Sequence, residues 1–212
     1  MDQNIQKLLE IKNKKMQQVF SKENIEVVFL NNKEELLSYL DTVIKDHQTV
    51  GVGGSMTLFE TGVIDYLRKR PIQFLDRYQE NLTRDEIEDI FHQSLLGDVY
   101  LTSSNAIDRN GNLYNIDGNG NRVAAMIYGP KKVIVVVGMN KIFDDESSAI
   151  EHIKNVSCPA NAMRLHKETP CSQIGKCVNC QSEDRICSAY VKIARQPKDR
   201  MTIVVMNEEL GY

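Results

Sequence analysis

Four cysteines near the carboxyl end are the residues whose spacing most directly indicates a chemistry. Cys171, Cys177, Cys180 and Cys187 fall within one short segment, and Cys158 stands apart from them. Thiolates this close together repel one another unless a cation lies between them, so the spacing predicts a metal centre. Zinc sites usually have two CxxC pairs where this segment has one, and ferredoxin-type runs are tighter. An iron–sulfur cluster, zinc, or a set of free or redox-active thiols all remain open.

Three polar loops, each after a strand-like segment, predict a binding site for a small anionic metabolite. Residues 51–57 form a glycine-rich turn before a helix, where backbone N–H groups can bind phosphate or carboxylate. Residues 103–105 and 117–122 follow two further strand-like segments, and the loop 139–142 can face the same site. The predicted ligand-binding residues are Gly53, Gly54, Ser55, Ser103, Ser104, Asn105, Gly118, Asn119, Gly120, Asn121 and Arg122. The alternative is a set of turns in which these side chains only cap the backbone.

No catalytic constellation stands out in the sequence. The four histidines are scattered, and none has a serine or cysteine nearby in a triad pattern. Glu60 is the candidate acid or base because it follows the glycine-rich turn directly. A glutamate in the first turn of a helix also stabilises the helix dipole, and this structural role is the one we favour.

Composition restricts the class of protein. The chain has 212 residues, 42% of them hydrophobic, and a net charge of −3, which is typical of a globular protein and argues against nucleic acid as a partner. No apolar run is long enough to cross a bilayer, and the first twenty residues are too polar for a secretory signal. We therefore expect a cytoplasmic protein without a membrane partner, in which cysteines are thiols or metal ligands and not disulfides.

The periodicity predicts a Rossmann-like α/β fold, with a mostly parallel sheet flanked by helices. An N-terminal helix over 1–21 is predicted to cover the domain, with docking on a second subunit of a homo-oligomer as the alternative. Strand 25–30, helix 33–45 and strand 49–52 give a βαβ rhythm. The β-branched run 133–137 predicts a central strand, and 201–206 a last strand in the same sheet. The predicted organisation is one domain over 1–212 with a cysteine-rich metal-binding segment at 158–190.

The ends of two helices also have recognisable signals. Thr83 followed by Glu86 predicts a capping box at the start of a helix. Arg122 to Tyr128 predicts a short helix, for which Asn121 is the expected N-cap.

Three stretches resemble the LUD-domain family, the proteins named for lactate utilisation. They are residues 51–60 (GVGGSMTLFE), 101–107 (LTSSNAI) and 117–133 (DGNGNRVAAMIYGPKKV). The resemblance covers nearly the whole chain and implies kinship with ribose-5-phosphate isomerases, glucosamine-phosphate deaminases and CoA transferases, which share a Rossmann-like sheet. Some of those relatives carry a Gly-Ala-Asp-Arg-Ile motif whose aspartate acts in sugar-phosphate isomerisation. Asn105 is in the similar place here, so hydrogen bonding to a ligand is expected there and proton transfer is not.

The resemblance implies a redox-linked protein of lactate or related hydroxy-acid metabolism. Relatives that serve lactate oxidation look like partners of iron–sulfur proteins, and this chain differs from the simplest of them by its own four-cysteine segment. Two alternatives stay open: an isomerase or transferase acting on a sugar phosphate or CoA ester, and a non-catalytic ligand-binding subunit. Whether the protein is an enzyme is left open by the sequence.

Overall fold

The computed structural model describes residues 2–212, which contain nine α-helices and ten strands. The helices are α1 Gln3–Lys22, α2 Lys33–Val43, α3 Met56–Glu60, α4 Val63–Arg68, α5 Arg84–Leu95, α6 Asn121–Ile127, α7 Glu146–His152, α8 Cys158–Arg164 and α9 Pro170–Ile174. The strands are β1 Ile25–Leu30, β2 Thr49–Val52, β3 Gln73–Leu75, β4 Val99–Thr102, β5 Ala106–Asp108, β6 Leu113–Asp117, β7 Lys132–Gly138, β8 Ile142–Phe143, β9 Ala189–Ile193 and β10 Met201–Met206. A 3₁₀ turn, Met139–Lys141, and a π-helical turn, Ile153–Ser157, connect neighbouring elements.

Six strands form a parallel main sheet in the order β1-β10-β7-β4-β2-β3. Strand β7 lies inside it, with Val133 and Val135 in one hydrophobic core and Ile134 and Val136 in the other. A strand buried on both faces requires a continuous apolar run, which is the pattern that its sequence has. The predicted parallel sheet is therefore confirmed, as is the joining of β10 to it.

Helices cover both faces of the main sheet. Helices α2, α3 and α4 supply side chains to one core, whereas α1 and α6 pack into the other together with the second sheet. Helix α1 buries Met16 and Phe20 beside β1, so it covers the domain as predicted. None of the helices within residues 2–212 is long and apolar enough to span a membrane.

A second sheet of four strands was not anticipated from the sequence. Its order is β8-β5-β6-β9, with β6 antiparallel to both of its neighbours. Strands β5 and β8 have three and two residues, too few for a detectable alternation. The loop 117–122 therefore follows a strand of the second sheet and not of the main sheet. It lies beside the loops of the main sheet only because the two sheets pack together.

Two helix starts illustrate what local sequence determines. The capping box of Thr83 and Glu86 is present at the start of α5, as predicted. The expected N-cap Asn121 is wrong, because Gly120 is the cap of α6 and has a φ of 82°. Glycine adopts this left-handed conformation without steric cost, and Asn121 becomes the first residue of the helix.

The cysteine-rich segment is irregular after its two short helices, α8 and α9. Helix α9 is short, and no helix or strand follows it before β9. Within residues 2–212, no three His, Cys, Asp or Glu side chains are placed together so that they could hold a metal ion. The α/β part of the predicted fold is thus observed, whereas its metal-binding segment is observed as an irregular connection and not as a formed centre.

Candidate anion-binding cleft

A polar cleft of about 360 Å³ opens where the strands of the main sheet end. Residues that follow β2, β3, β4 and β7 line it, together with the end of β6, helix α8 and the last residue, Tyr212. Its volume is in the range of small-molecule sites. Nine predicted ligand-binding residues come together in its lining: Gly54, Ser55, Ser103, Ser104, Asn105, Gly118, Asn119, Asn121 and Arg122.

Two predicted residues, Gly53 and Gly120, do not line the cleft. A Cβ on Gly53 would lie 2.6 Å from Thr102 Oγ1 and 3.1 Å from Arg122 Cγ, so glycine allows these side chains to pack against the turn. Gly120 supplies the left-handed cap of α6. Both glycines shape the loops that form the cleft.

Glu60, the candidate acid or base, also lies outside the lining of the cleft. Its Oε2 accepts a hydrogen bond of 2.7 Å from the backbone N–H of Gly211. The carbonyl of Leu210 accepts a hydrogen bond from Thr57 Oγ1, and the side chain of Asn140 bonds Leu210 and Gly211. Glu60 therefore helps to hold the C-terminal residues against α3. The structural role favoured for it, a first-turn acid that stabilises the helix dipole, is wrong, because Glu60 is the last residue of α3.

Arg122 connects the loops that form the cleft. Its Nε–H donates to Asp117 Oδ1 at 2.9 Å, and the two form a buried ion pair. Its four remaining N–H groups donate to the carbonyls of Ser103 and Ile116 and to the side chains of Asn105 and Asn115. All five donors of the guanidinium are thus used within the protein. Arg122 fixes the positions of both loops, and its charge is balanced by Asp117.

Lys141 is the buried cation of the cleft that has no carboxylate partner. Its residue is 3% exposed, and its Nζ donates to Thr57 Oγ1 at 3.0 Å and to Ser103 Oγ at 3.2 Å. No ion pair within the described part of the chain includes it. Burial, and then the nearby charge of Arg122, lower the pKa of Lys141 to about 8, against a small opposing effect of Glu60.

Two arginines add further positive charge to the lining. Arg77 lies over the ring of Phe91 at 4.3 Å, and Arg164 donates to the neutral side chain of Asn161. A third cation, Lys167, is paired with Asp184 at 3.3 Å. Asp117, already bound by Arg122, is the one acidic side chain among the lining residues. The described lining therefore has a clear excess of positive charge.

The local sequence signals for these cations differ in strength. Lys141 lies in the loop after β7, which was expected to face the site. Arg77 and Arg164 follow β3 and end α8, and neither belongs to a recognisable motif. Only the packing of these distant segments brings them to the cleft.

A second cavity, of about 20 Å³, lies among the cysteines. Cys171, Cys177, Cys180 and Cys187 all line it, so the chain brings the four predicted ligands around one space. Cys158 does not line it, although its sulfur lies 3.7 Å from that of Cys187. Helix α8 begins at Cys158 and carries it to this place.

Ile186 connects the two cavities. It lines the polar cleft and the cysteine cavity. A Cβ on Gly118 would lie only 3.3 Å from the carbonyl oxygen of Ile186, so the two segments are in close contact. The cysteine segment thus forms part of the wall of the cleft.

Comparisons with known proteins identify the fold and a family. The model of the LUD domain matches residues 14–206. A solved structure of a DUF162 family protein from Deinococcus radiodurans superposes with a TM-score of 0.54 at 12% identity, over 93% of this chain and 97% of that one. At such low identity the likeness concerns the fold alone. No curated protein matches the chain.

Proposed function

Because the chain belongs to the LUD domain family, we propose that it is a lactate-utilisation-type protein that binds a small anionic metabolite in the polar cleft. The observation that carries the proposal is the buried Lys141 amine, which has hydroxyl partners and no carboxylate. Burying an ammonium group without a counter-charge is costly, by several kcal/mol per ion. A bound anion would supply the missing charge.

The rest of the lining suits a carboxylate or phosphate. Arg77 and Arg164 add charge without acidic partners, and the polar loops supply hydrogen-bonding groups around them. Acid–base chemistry by a pair of carboxylate side chains is not favoured, because the one acidic side chain in the lining, Asp117, accepts hydrogen bonds from Arg122 and from the N–H of Gly120. A hydroxy acid or a similar small carboxylate fits these features.

Thermal stabilisation by anions tests this proposal. Melting temperatures are measured in lactate, pyruvate or phosphate and compared with chloride at equal ionic strength. The parent protein should be stabilised by at least one of these anions. Lys141→Met should lose that response, whereas Lys69→Met, which removes an exposed lysine from the surface, should keep it. An unchanged response of Lys141→Met would contradict the proposal.

We propose in addition that Cys171, Cys177, Cys180 and Cys187 bind one metal ion. Support comes from the cavity that all four side chains line and from its volume of about 20 Å³, which suits a single ion such as zinc better than a cluster of several iron and sulfur atoms. The thiols would have to turn towards the ion, since they do not form a ligand group as they stand. A metal would then fix the wall that includes Ile186.

Metal analysis and limited proteolysis test the second proposal. Anaerobically purified protein should contain one zinc per chain, and chelation should expose residues 171–187 to protease while the α/β core remains folded. Cys180→Ser should make residues 171–187 sensitive to protease, as chelation does. Cys158→Ser should not, because Cys158 does not line the cavity. Iron, sulfide and visible absorption would instead favour the cluster and a redox link to iron–sulfur partner proteins. Four freely reacting thiols without metal would rule out both.

A further inference from the structure

The amine of Lys141 has the surroundings of a lysine nucleophile: it is buried and bonded to two hydroxyl groups. Its Nζ donates hydrogen bonds to the hydroxyls of Thr57 and Ser103, and no salt bridge within residues 2–212 includes it. A lysine that is desolvated and close to other cations is in part a neutral amine near neutral pH, which is the reactive form. Anion binding alone does not require such a group, because an arginine would supply a permanent charge.

The backbone of Gly211 closes one side of this amine. A Cβ on Gly211 would lie 3.3 Å from Lys141 Nζ and 2.8 Å from Thr57 Oγ1, so the residue has space only as glycine. Its φ of 57° is also one that glycine tolerates. Gly211 encloses the amine on one side, and Lys141 lines the cleft, so a ligand would approach the amine from the cleft.

Resting on the anion-binding function proposed above, we propose that Lys141 is a catalytic residue whose Nζ forms an imine with the carbonyl carbon of a small 2-oxo acid. The ammonium form of Lys141 would attract the carboxylate of the acid together with Arg77 and Arg164. The neutral fraction of the same amine would then react while the two arginines hold the carboxylate. The carbonyl would then face Lys141 and the two hydroxyls beside it. This assigns a substrate class, the 2-oxo acids, to the cleft.

The step balances without an oxidant or reductant. The nitrogen lone pair of the neutral amine adds to the carbonyl carbon, and the carbonyl oxygen takes up a proton that the nitrogen gives up. Ser103 and Thr57 can pass this proton, because both hydroxyls bond the nitrogen and lie 3.5 Å from each other. A second proton transfer lets the oxygen leave as water, and the C=N bond forms.

Reductive trapping tests the assignment. The intact protein is incubated with pyruvate and cyanoborohydride, and the modified lysine is located by peptide mass spectrometry. Lactate, which has the same carboxylate but no carbonyl, serves as the control ligand. Lys167 is an internal control because it lines the same cleft but is paired with Asp184. Lys141→Arg keeps a cation in place and cannot form an imine.

Reduced pyruvate on Lys141 in the parent protein, with none from lactate and none in Lys141→Arg, would support the proposal. Pyruvate that raises the melting temperature but leaves Lys141 unmodified would overturn the imine while anion binding stands. Modification confined to Lys167 or to surface lysines would also overturn it. If pyruvate neither stabilises the protein nor is trapped, the inference fails together with the binding of oxo acids on which it rests.

Discussion

The polar cleft and the cysteine cavity differ in what holds their side chains in place. In the cleft, Arg122 and Lys141 are buried and bonded to residues from several elements of the fold. Of the four cysteines around the cysteine cavity, Cys171 alone is buried, while Ile174 and Val178 are 61% and 51% exposed. The fold itself therefore positions the groups of the cleft, whereas the cysteine segment lacks the buried contacts that would fix its side chains.

Within the cleft, the two buried cations differ in whether the fold supplies a counter-charge. Arg122 carries a charge that is fully compensated, so its removal should affect the fold. Lys141 carries a charge that the fold leaves uncompensated, so its removal should affect ligand binding and relieve the fold. The cysteines should depend on a bound metal more than on the core. Each of these expectations has a measurable consequence.

The largest expected effect is the loss of Arg122. Arg122→Met should lower the free energy of unfolding by about 3–5 kcal/mol, because Asp117 would stay buried without its partner. Chemical denaturation measures this change. Arg195→Met is the matched control, since its pairing with Glu23 is exposed and should contribute about 0–1 kcal/mol. Equal stability of the two variants would mean that Arg122 does not organise the cleft.

The second-largest expected effect is a gain in stability on removal of Lys141. The folded state has to bury Lys141 as an ammonium ion, so Lys141→Met should raise the free energy of unfolding near pH 7, by on the order of 3 kcal/mol. The penalty is fully present below the folded pKa of about 8 and disappears as pH rises towards 10.5, where the unfolded chain also loses the proton. The stability difference between variant and parent should therefore shrink over that pH range. A difference that is constant with pH would contradict this account of Lys141.

A pair of neighbouring glycines gives a smaller test of the cleft. Gly53→Ala should destabilise the protein by about 1–3 kcal/mol, because its Cβ would lie 2.6 Å from Thr102 Oγ1. Gly54→Ala should change stability by less than about 0.5 kcal/mol, since the nearest atom, Arg77 Nη1, is 3.7 Å away. Gly54→Val should fold yet lose its response to anions, because the larger side chain extends towards Arg77. Denaturation and melting curves in phosphate distinguish these outcomes.

The smallest effect is expected in the cysteine segment. Ile174→Ser should change the free energy of unfolding of metal-free protein by less than about 0.5 kcal/mol, because this side chain is mostly exposed. A loss above about 2 kcal/mol, as for a buried isoleucine, would show that the segment is held by packing and would remove the contrast with the cleft.

The sequence predicted the parts of the fold that depend on long apolar runs. Strand β7 and strand β10 were recognised because each is buried along its length, whereas the second sheet was missed because β5 and β8 are too short to show a period. The glycine and asparagine loops of the cleft were also recognised, through residue types that turns require.

The roles of the charged residues could not be read in the same way. Arg122 was predicted to face an anion, but a sequence does not show that all five donors of a guanidinium are already used. Arg77 and Arg164 reach the cleft from segments far apart in the chain. Lys141 differs from Arg122 because it has no carboxylate partner in the described part of the chain. Such features depend on tertiary packing and not on local pattern.

The titration of the Lys141 amine is the most direct test of the central claim, that its uncompensated charge is the counter-charge for an anion. NMR of labelled lysine, with Lys141 assigned by the missing signal of Lys141→Met, gives its pKa with and without lactate or phosphate. In the free protein it should titrate near 8, and a saturating anion should raise its pKa towards the ordinary 10.5. A Lys141 amine that titrates near 10.5 in the free protein and does not respond to either anion would contradict the claim.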